Sequence, residues 1–161
     1  MPKPTPCLWF DTEGEDAARF YVSVFPNSRI VEIARYGEAG PREEGTVMVV
    51  SFELDGHPFT ALNGGPQFRF TEAVSFTIEC ADQAEVDRYW ETLSEGGEQG
   101  PCGWLKDRFG LSWQITPKRL TQLIAAGGET ASRAFAAMME MAKIDIAALD
   151  RAVEGVEKRK G

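Results

Sequence analysis

Apolar and polar positions alternate along this chain in two rhythms that recur in the same order. A short apolar run, Cys7 to Phe10, leads into a polar start at Glu13 and Asp16 and then Ala17, Phe20, Tyr21 and Val24, which fall on one face of a helix. The run Val74 to Cys80 leads in the same way into Asp82 and Glu85, an N-cap with an acidic first turn, and then Val86, Tyr89, Trp90 and Leu93. Strand signals follow each helix: Arg29 to Tyr36, Thr46 to Leu54 and Pro58 to Leu62 in the first half, Gly103 to Lys106 and Leu111 to Thr116 in the second. Turns at Asp55-Gly56 and Phe109-Gly110 punctuate them.

The pattern predicts an α+β protein built from two copies of a strand, helix, three-strand unit whose sheets close on each other. The loop Gly37 to Gly45 makes the first copy the larger. Asn63-Gly64-Gly65-Pro66 reads as the linker, so we expect a first module over 1–66, a second over 67–117 and a helical extension over 118–161. Within the extension, Lys118 to Ala126 and Thr130 to Val153 read as helices separated by Gly127-Gly128, the second with a stripe of Phe135, Met138, Met139, Ala142, Ile146 and Leu149. Methionines adapt to irregular surfaces, which suits packing either on the chain's own sheet or on a partner.

Charge narrows the choice of partner. The chain has 161 residues and a net charge of -8, and its one basic cluster, Lys158, Arg159 and Lys160, reads as a solvated tail; no basic face for nucleic acid is expected. No apolar run is long enough to span a bilayer, the start lacks the apolar stretch of a secretory signal, and three cysteines without C-x-x-C spacing read as reduced core residues. A cytoplasmic protein is the expectation.

Phe20-Tyr21 with Phe25-Pro26, Asn63-Gly64-Gly65, Cys102 to Asp107 (CGWLKD), Trp113-Gln114-Ile115 and Lys143 to Ile146 (KIDI) together resemble the PhnB-like family of the vicinal oxygen chelate, or glyoxalase and bleomycin-resistance, superfamily. Members similar to this chain commonly carry the label demethylubiquinone methyltransferase. The resemblance implies paired βαβββ modules with C-terminal helices, and a homodimer.

In the metal-dependent branches of that superfamily four side chains converge on a cation. The resemblance carries those places to Pro6 or its neighbour, Thr60, Ser75 and Gln114, and none is read as a histidine, cysteine or carboxylate. A divalent site wants imidazole, thiolate or carboxylate donors, so no metal and no cofactor are expected there. The only histidine, His57, alternates away from Thr60 on its strand and reads as a turn-adjacent surface residue.

Alternation predicts a pocket lined by Leu8, Phe10, Thr60, Ser75, Thr77, Ser112 and Gln114, with Trp104 and Lys106 at its mouth if their face is the inner one. The sequence leaves that face open. An apolar floor with a few neutral hydrogen-bonding groups suits a small, partly aromatic or quinone-like ligand. Lys106 facing inward would hold an acidic substituent, whereas a solvated lysine would pair with Asp107 or Glu98. Cys102 has no histidine to activate it, and Asp11, Glu13 and Asp107 read as caps and turn residues.

Three functions compete: a metal-free small-molecule binder; an enzyme on a small oxygenated substrate, including demethylubiquinone methyl transfer or a glyoxalase- or dioxygenase-type reaction; and an interaction module working through the methionine-rich helix. The methyltransferase reading lacks a glycine-rich strand-to-helix loop, because Asn63-Gly64-Gly65 precedes a proline.

Overall fold

Two four-stranded sheets share one strand order in the computed structural model, which describes residues 1–156. The first orders β1 (Cys7–Phe10), β4 (His57–Asn63), β3 (Val47–Leu54) and β2 (Arg29–Arg35); the second orders β5 (Ser75–Cys80), β8 (Ser112–Pro117), β7 (Trp104–Lys106) and β6 (Glu98–Gln99). In each, the first strand pairs parallel with the last and the others run antiparallel. The repeat read from periodicity is therefore a repeat of topology. Strand β6, two polar residues long, carries no apolar alternation and was not expected.

The chain divides into one compact unit over Met1–Phe70 and another beginning at Thr71. In the first, helix α1 (Gly14–Val24) lays Ala17, Ala18, Tyr21 and Val24 on a sheet face made by Val50, Phe52, Leu54 and Ala61. Tyr21 stacks on Phe52 with ring centroids 6.4 Å apart, and each large buried side chain contributes about 1.5–3 kcal/mol. The β3–β4 turn has Asp55 and Gly56 both at positive φ, 48° and 77°, the geometry a tight two-residue hairpin requires. Phe68 and Phe70 stay with this unit, meeting Trp9 and Phe10 edge-on at 4.9 and 5.3 Å.

In the second unit, helix α2 (Gln83–Ser94) buries Val86, Tyr89, Trp90 and Leu93 as its spacing predicts. Its start is fixed reciprocally: Asp82 accepts from the backbone N–H of Glu85 at 2.9 Å, and the Glu85 carboxylate accepts from that of Ala81 at 2.8 Å. Helices α3 (Lys118–Ala125), α4 (Gly128–Met139) and α5 (Ile146–Ala152) follow. Leu120, Leu123, Ala134, Ile144, Leu149 and Val153 form a core of their own, with Ala137, Met138 and Met141 packed against it.

The single helix expected over 130–153 is thus two. Asp145 caps α5 by accepting from the Ala148 N–H at 3.2 Å, while the carbonyls of Met141 and Ala142 leave the helical ladder to accept from the N–H groups of Cys102 and Gly103, each at 2.8 Å. Phe135 and Met139, expected in the packed stripe, are about half exposed, at 52% and 53%. The basic residues Lys158, Arg159 and Lys160 lie outside the described residues. Among the described residues, no helix is long and apolar enough to cross a membrane.

Candidate functional site

Strand register settles which side chains of the second unit stand together. Ser75 pairs with Ser112 and Thr77 with Gln114 across β5 and β8; Trp104 pairs with Gln114 and Lys106 with Ser112 across β7 and β8. Paired residues share a face and alternate residues repeat it, so Ser75, Thr77, Trp104, Lys106, Ser112 and Gln114 form one surface. The opposite surface carries Leu105, Trp113 and Ile115, buried on the α2 side. The face of Trp104 and Lys106, open in the sequence, is the face of Gln114.

Hydrogen bonding organises this surface. The Gln114 side chain donates from Nε2 to Ser75 Oγ at 2.9 Å, a bond that uses one of its two amide hydrogens and neither lone pair of its carbonyl oxygen. Lys106 Nζ forms an ion pair with Glu72, not with Asp107 or Glu98. That hydrogen bond holds the Glu72 carboxyl below the usual carboxylate range and raises the Lys106 ammonium above the usual lysine value. Ser112 is 1% exposed, and among the described residues its Oγ is the one buried side-chain polar atom without a partner. An orphan of this kind costs about 1–3 kcal/mol.

Two hollows adjoin this face and share Trp104. The larger, about 470 Å³, lies between Trp104, Gln114 and Thr116 of the sheet, Cys102 beside them, and Leu120, Ile124, Phe135 and Met138 of helices α3 and α4. The smaller, about 210 Å³, is bounded by Glu72, Glu98, Gln99, Trp104, Lys106 and Ser112. Sequence reasoning missed the helical wall of the first and Glu72 in the second. The wall could have been found from the surplus of apolar residues on α4; Glu72 sits outside any periodic segment and gave no signal.

The first unit places its candidates differently. Leu8 and Phe10 pair with Ala61 and Asn63, whereas Thr60 pairs with Cys7. Leu8 and Phe10 therefore share the α1 side of the sheet, 7% and 4% exposed in the core, and Thr60 stands on the other side. The expectation that these three share one lining is corrected: counting alternation from Pro6 chose the wrong parity for β1. Cys7, not Pro6, is the residue in register with Thr60, and it is exposed. His57 is exposed at the start of β4.

Of the carboxylates read as caps and turn residues, Asp107 holds a turn, while the Glu13 side chain does not cap α1. Asp11 pairs with Arg42 at 3.7 Å, and Glu13 accepts from the Thr12 N–H at 3.1 Å. Asp107, 2% exposed, is a buried hub: Oδ1 accepts from the N–H groups of Phe109 and Leu111, and Oδ2 accepts from Trp113 Nε1 at 2.9 Å. Cys102 has a positive φ of 60° and lies 3.7 Å from the Met139 sulfur.

The donor set does not fit a divalent metal. Among the described residues no three histidines, cysteines, aspartates or glutamates cluster as a metal site would need. In the second unit the two candidate donors are a hydroxyl and an amide already bonded to each other; in the first, a single thiol stands beside a threonine.

Asn63-Gly64-Gly65 is equally unsuited to cradle a nucleotide. A Cβ on Gly64 would lie 2.3 Å from the Trp9 ring, and Trp9 Nε1 donates to the Gly65 carbonyl at 2.9 Å. The glycines let an indole lie against the backbone.

A family model described as 3-demethylubiquinone-9 3-methyltransferase matches residues 2–116. The chain belongs to this PhnB-like family of the vicinal oxygen chelate superfamily. Among solved structures it is similar to a PhnB protein of Bacillus cereus that carries a provisional description as that methyltransferase, with 36% identity, 72% of this chain and 99% of that chain covered, and a TM-score of 0.64. Protein PA1353 of Pseudomonas aeruginosa, at 18% identity with 73% and 98% covered and a TM-score of 0.61, shares the fold. So does the fosfomycin resistance protein FosX of Mesorhizobium loti, at 17% identity, 78% and 99% covered, TM-score 0.53. No curated protein matches. Helices α3, α4 and α5 lie beyond the residues the family model matches.

Proposed function

We propose that this family member binds a small, partly aromatic or quinone-like organic molecule in the second unit, without a resident metal, as a cytoplasmic homodimer. The observation that carries the reading is the Gln114 amide, oriented by Ser75 and set beside Trp104 in a hollow of about 470 Å³ whose far wall is apolar. That volume lies in the range of small-ligand sites, about 300–1,000 Å³. A ligand carbonyl would take the free amide hydrogen, a ligand hydroxyl would reach the amide oxygen, and its ring would lie on the indole. Exposed Phe68, Phe135 and Met139 support a second protomer as partner, and three free cysteines suit a reducing compartment.

Thermal-shift and native mass spectrometry of the full chain with 1,4-naphthoquinone, 1-naphthol and naphthalene test the reading. The two oxygenated rings should bind more tightly than naphthalene, and Gln114→Leu should remove the difference. Equal binding of all three, or of none, overturns it. Light scattering reads the oligomeric state.

The second reading, methyl transfer, is favoured by the family description alone. Calorimetry with S-adenosylmethionine decides it: micromolar binding would support a methyltransferase, and we expect none, because the only glycine pair after a strand in the first unit is filled by Trp9.

A further inference from the structure

The smaller hollow has a chemistry of its own. Its floor is Ser112, whose buried Oγ lacks a partner, and register sets that hydroxyl beside Lys106 on the same face. Two residues before Lys106, Trp104 forms the wall shared with the larger hollow. Two donors side by side under an aromatic edge match the two oxygens of a carboxylate attached to a ring. We propose that Lys106 and Ser112 form an acid-binding subsite for the carboxylate of a small aromatic acid, and that Glu72 is the built-in carboxylate that the ligand displaces. The proposal rests on the ligand-binding reading of the second unit and adds the substrate class.

Charge selects the ligand further. Lys106 is in ion-pair contact with Glu72 and paired in the sheet with Glu98, so the subsite holds one cation between two acids. A monocarboxylate that takes the place of Glu72 leaves the local charge as it was, while Glu72, 60% exposed along its side chain, turns into water. A dianionic phosphate in the same place would meet Glu98 with an extra negative charge. An amine would meet the Lys106 ammonium, which the two neighbouring acids keep protonated.

Calorimetry of the full chain with benzoate, benzamide, benzylamine and phenyl phosphate tests this. Benzoate should bind about tenfold more tightly than each of the others, the difference one charge-assisted hydrogen bond makes. Lys106→Met and Ser112→Ala should each remove that preference, Lys106→Arg should keep part of it, and Glu72→Gln should tighten benzoate about threefold or more by releasing Lys106. Thermal melts confirm that the variants fold, and Glu72→Gln, at an exposed position, carries the test if the others do not. Benzylamine or phenyl phosphate binding as well as benzoate, or Glu72→Gln weakening benzoate, overturns the subsite. Benzoate and benzamide binding equally, with both lost in Gln114→Leu, overturns the subsite and leaves the larger hollow standing. Failure of all four probes to bind while the naphthalene derivatives bind likewise sinks only the subsite, and failure of every probe sinks both.

Discussion

Asn63 Oδ1 accepts the backbone N–H of Gly14 at 2.8 Å, which ties the end of β4 to the first turn of α1. No side chain caps α1 from its own N-cap position, so this long-range bond supplies a partner to a donor the helix cannot satisfy. The same side chain donates from Nδ2 to the Val47 carbonyl at 3.2 Å, and the Asn63 carbonyl accepts from Tyr36 Oη at 2.6 Å. Asn63→Leu would strand the Gly14 N–H and the Val47 carbonyl in a site where Asn63 is 6% exposed. We expect it to lose about 2–4 kcal/mol in urea unfolding, one desolvation penalty for each stranded group. Gly14→Ala should also destabilise, since a Cβ there would stand 2.6 Å from Asn63 Oδ1.

Asp107 should behave as a structural residue although it is a buried carboxylate near the candidate site. Its two oxygens face only donors in the bonds described, the N–H groups of Phe109 and Leu111 and the indole of Trp113. Asp107→Asn replaces one acceptor oxygen with an NH₂ that must oppose one of those donors. A loss of about 1–3 kcal/mol is expected, with a change in Trp113 fluorescence. Affinity for 1,4-naphthoquinone at temperatures well below the melt should be unchanged; a lost affinity in a fully folded variant would make Asp107 part of the binding site.

Cys80 sets an alkaline limit. Burial, reinforced by the nearby Glu85 carboxylate, pushes its thiol from 9.0 up to about 12. Below pH 9.0 the thiol is protonated in folded and unfolded chains alike, and the full stability is present. Between 9.0 and about 12 the unfolded chain releases a proton that the folded chain keeps, so stability falls by about 1.4 kcal/mol per pH unit from this group. The difference in stability between the wild type and Cys80→Ala should shrink over that window. At pH 8 a thiol reagent should label exposed Cys7 in the native protein and spare Cys80.

Helix faces and strand order were legible because burial imposes a period: Val86, Tyr89, Trp90 and Leu93 are where a 3.6-residue repeat puts them, and the duplicated units have the same sheet order. The parity of a short strand was not. In a four-residue strand such as Cys7–Phe10 nearly every residue is apolar, so alternation cannot tell the α1 side from the other, and Leu8 and Phe10 were assigned to the face of Thr60. The smaller hollow was half legible. Ser112, Trp104 and Lys106 follow from strand spacing, but the counter-charge comes from Glu72 in an aperiodic segment, while Glu98, the nearer carboxylate by strand pairing, is not the one in ion-pair contact. The helical wall of the larger hollow was missed because the residues over 140–145 read as continuous helix until the carbonyls of Met141 and Ala142 are seen bonded to the β7 approach.

Gln83 makes the C-terminal helices part of the second unit's fold. From the first turn of α2 its side chain donates Nε2 to the Ile144 carbonyl at 3.0 Å and accepts from the Ile146 N–H at 2.8 Å, imitating a strand partner for the segment before α5. Ile144 itself is 1% exposed in the core with Leu120, Leu123, Leu149 and Val153. Truncation after Gly128 would remove Ala134, Ile144, Leu149 and Val153 from that core and the acceptors of the Cys102 and Gly103 N–H groups with them. Each large side chain so lost removes about 1.5–3 kcal/mol of burial, a sum comparable with the whole stability of a domain, about 5–15 kcal/mol. The truncated chain should therefore lose the cooperative melt of the second unit, and Gln83→Ala, which strands one N–H and one carbonyl, should cost about 2–4 kcal/mol. A truncated protein that melts like the full chain would show instead that α4 and α5 are an appendage, and that Phe135 and Met139 sit on a surface separable from the fold.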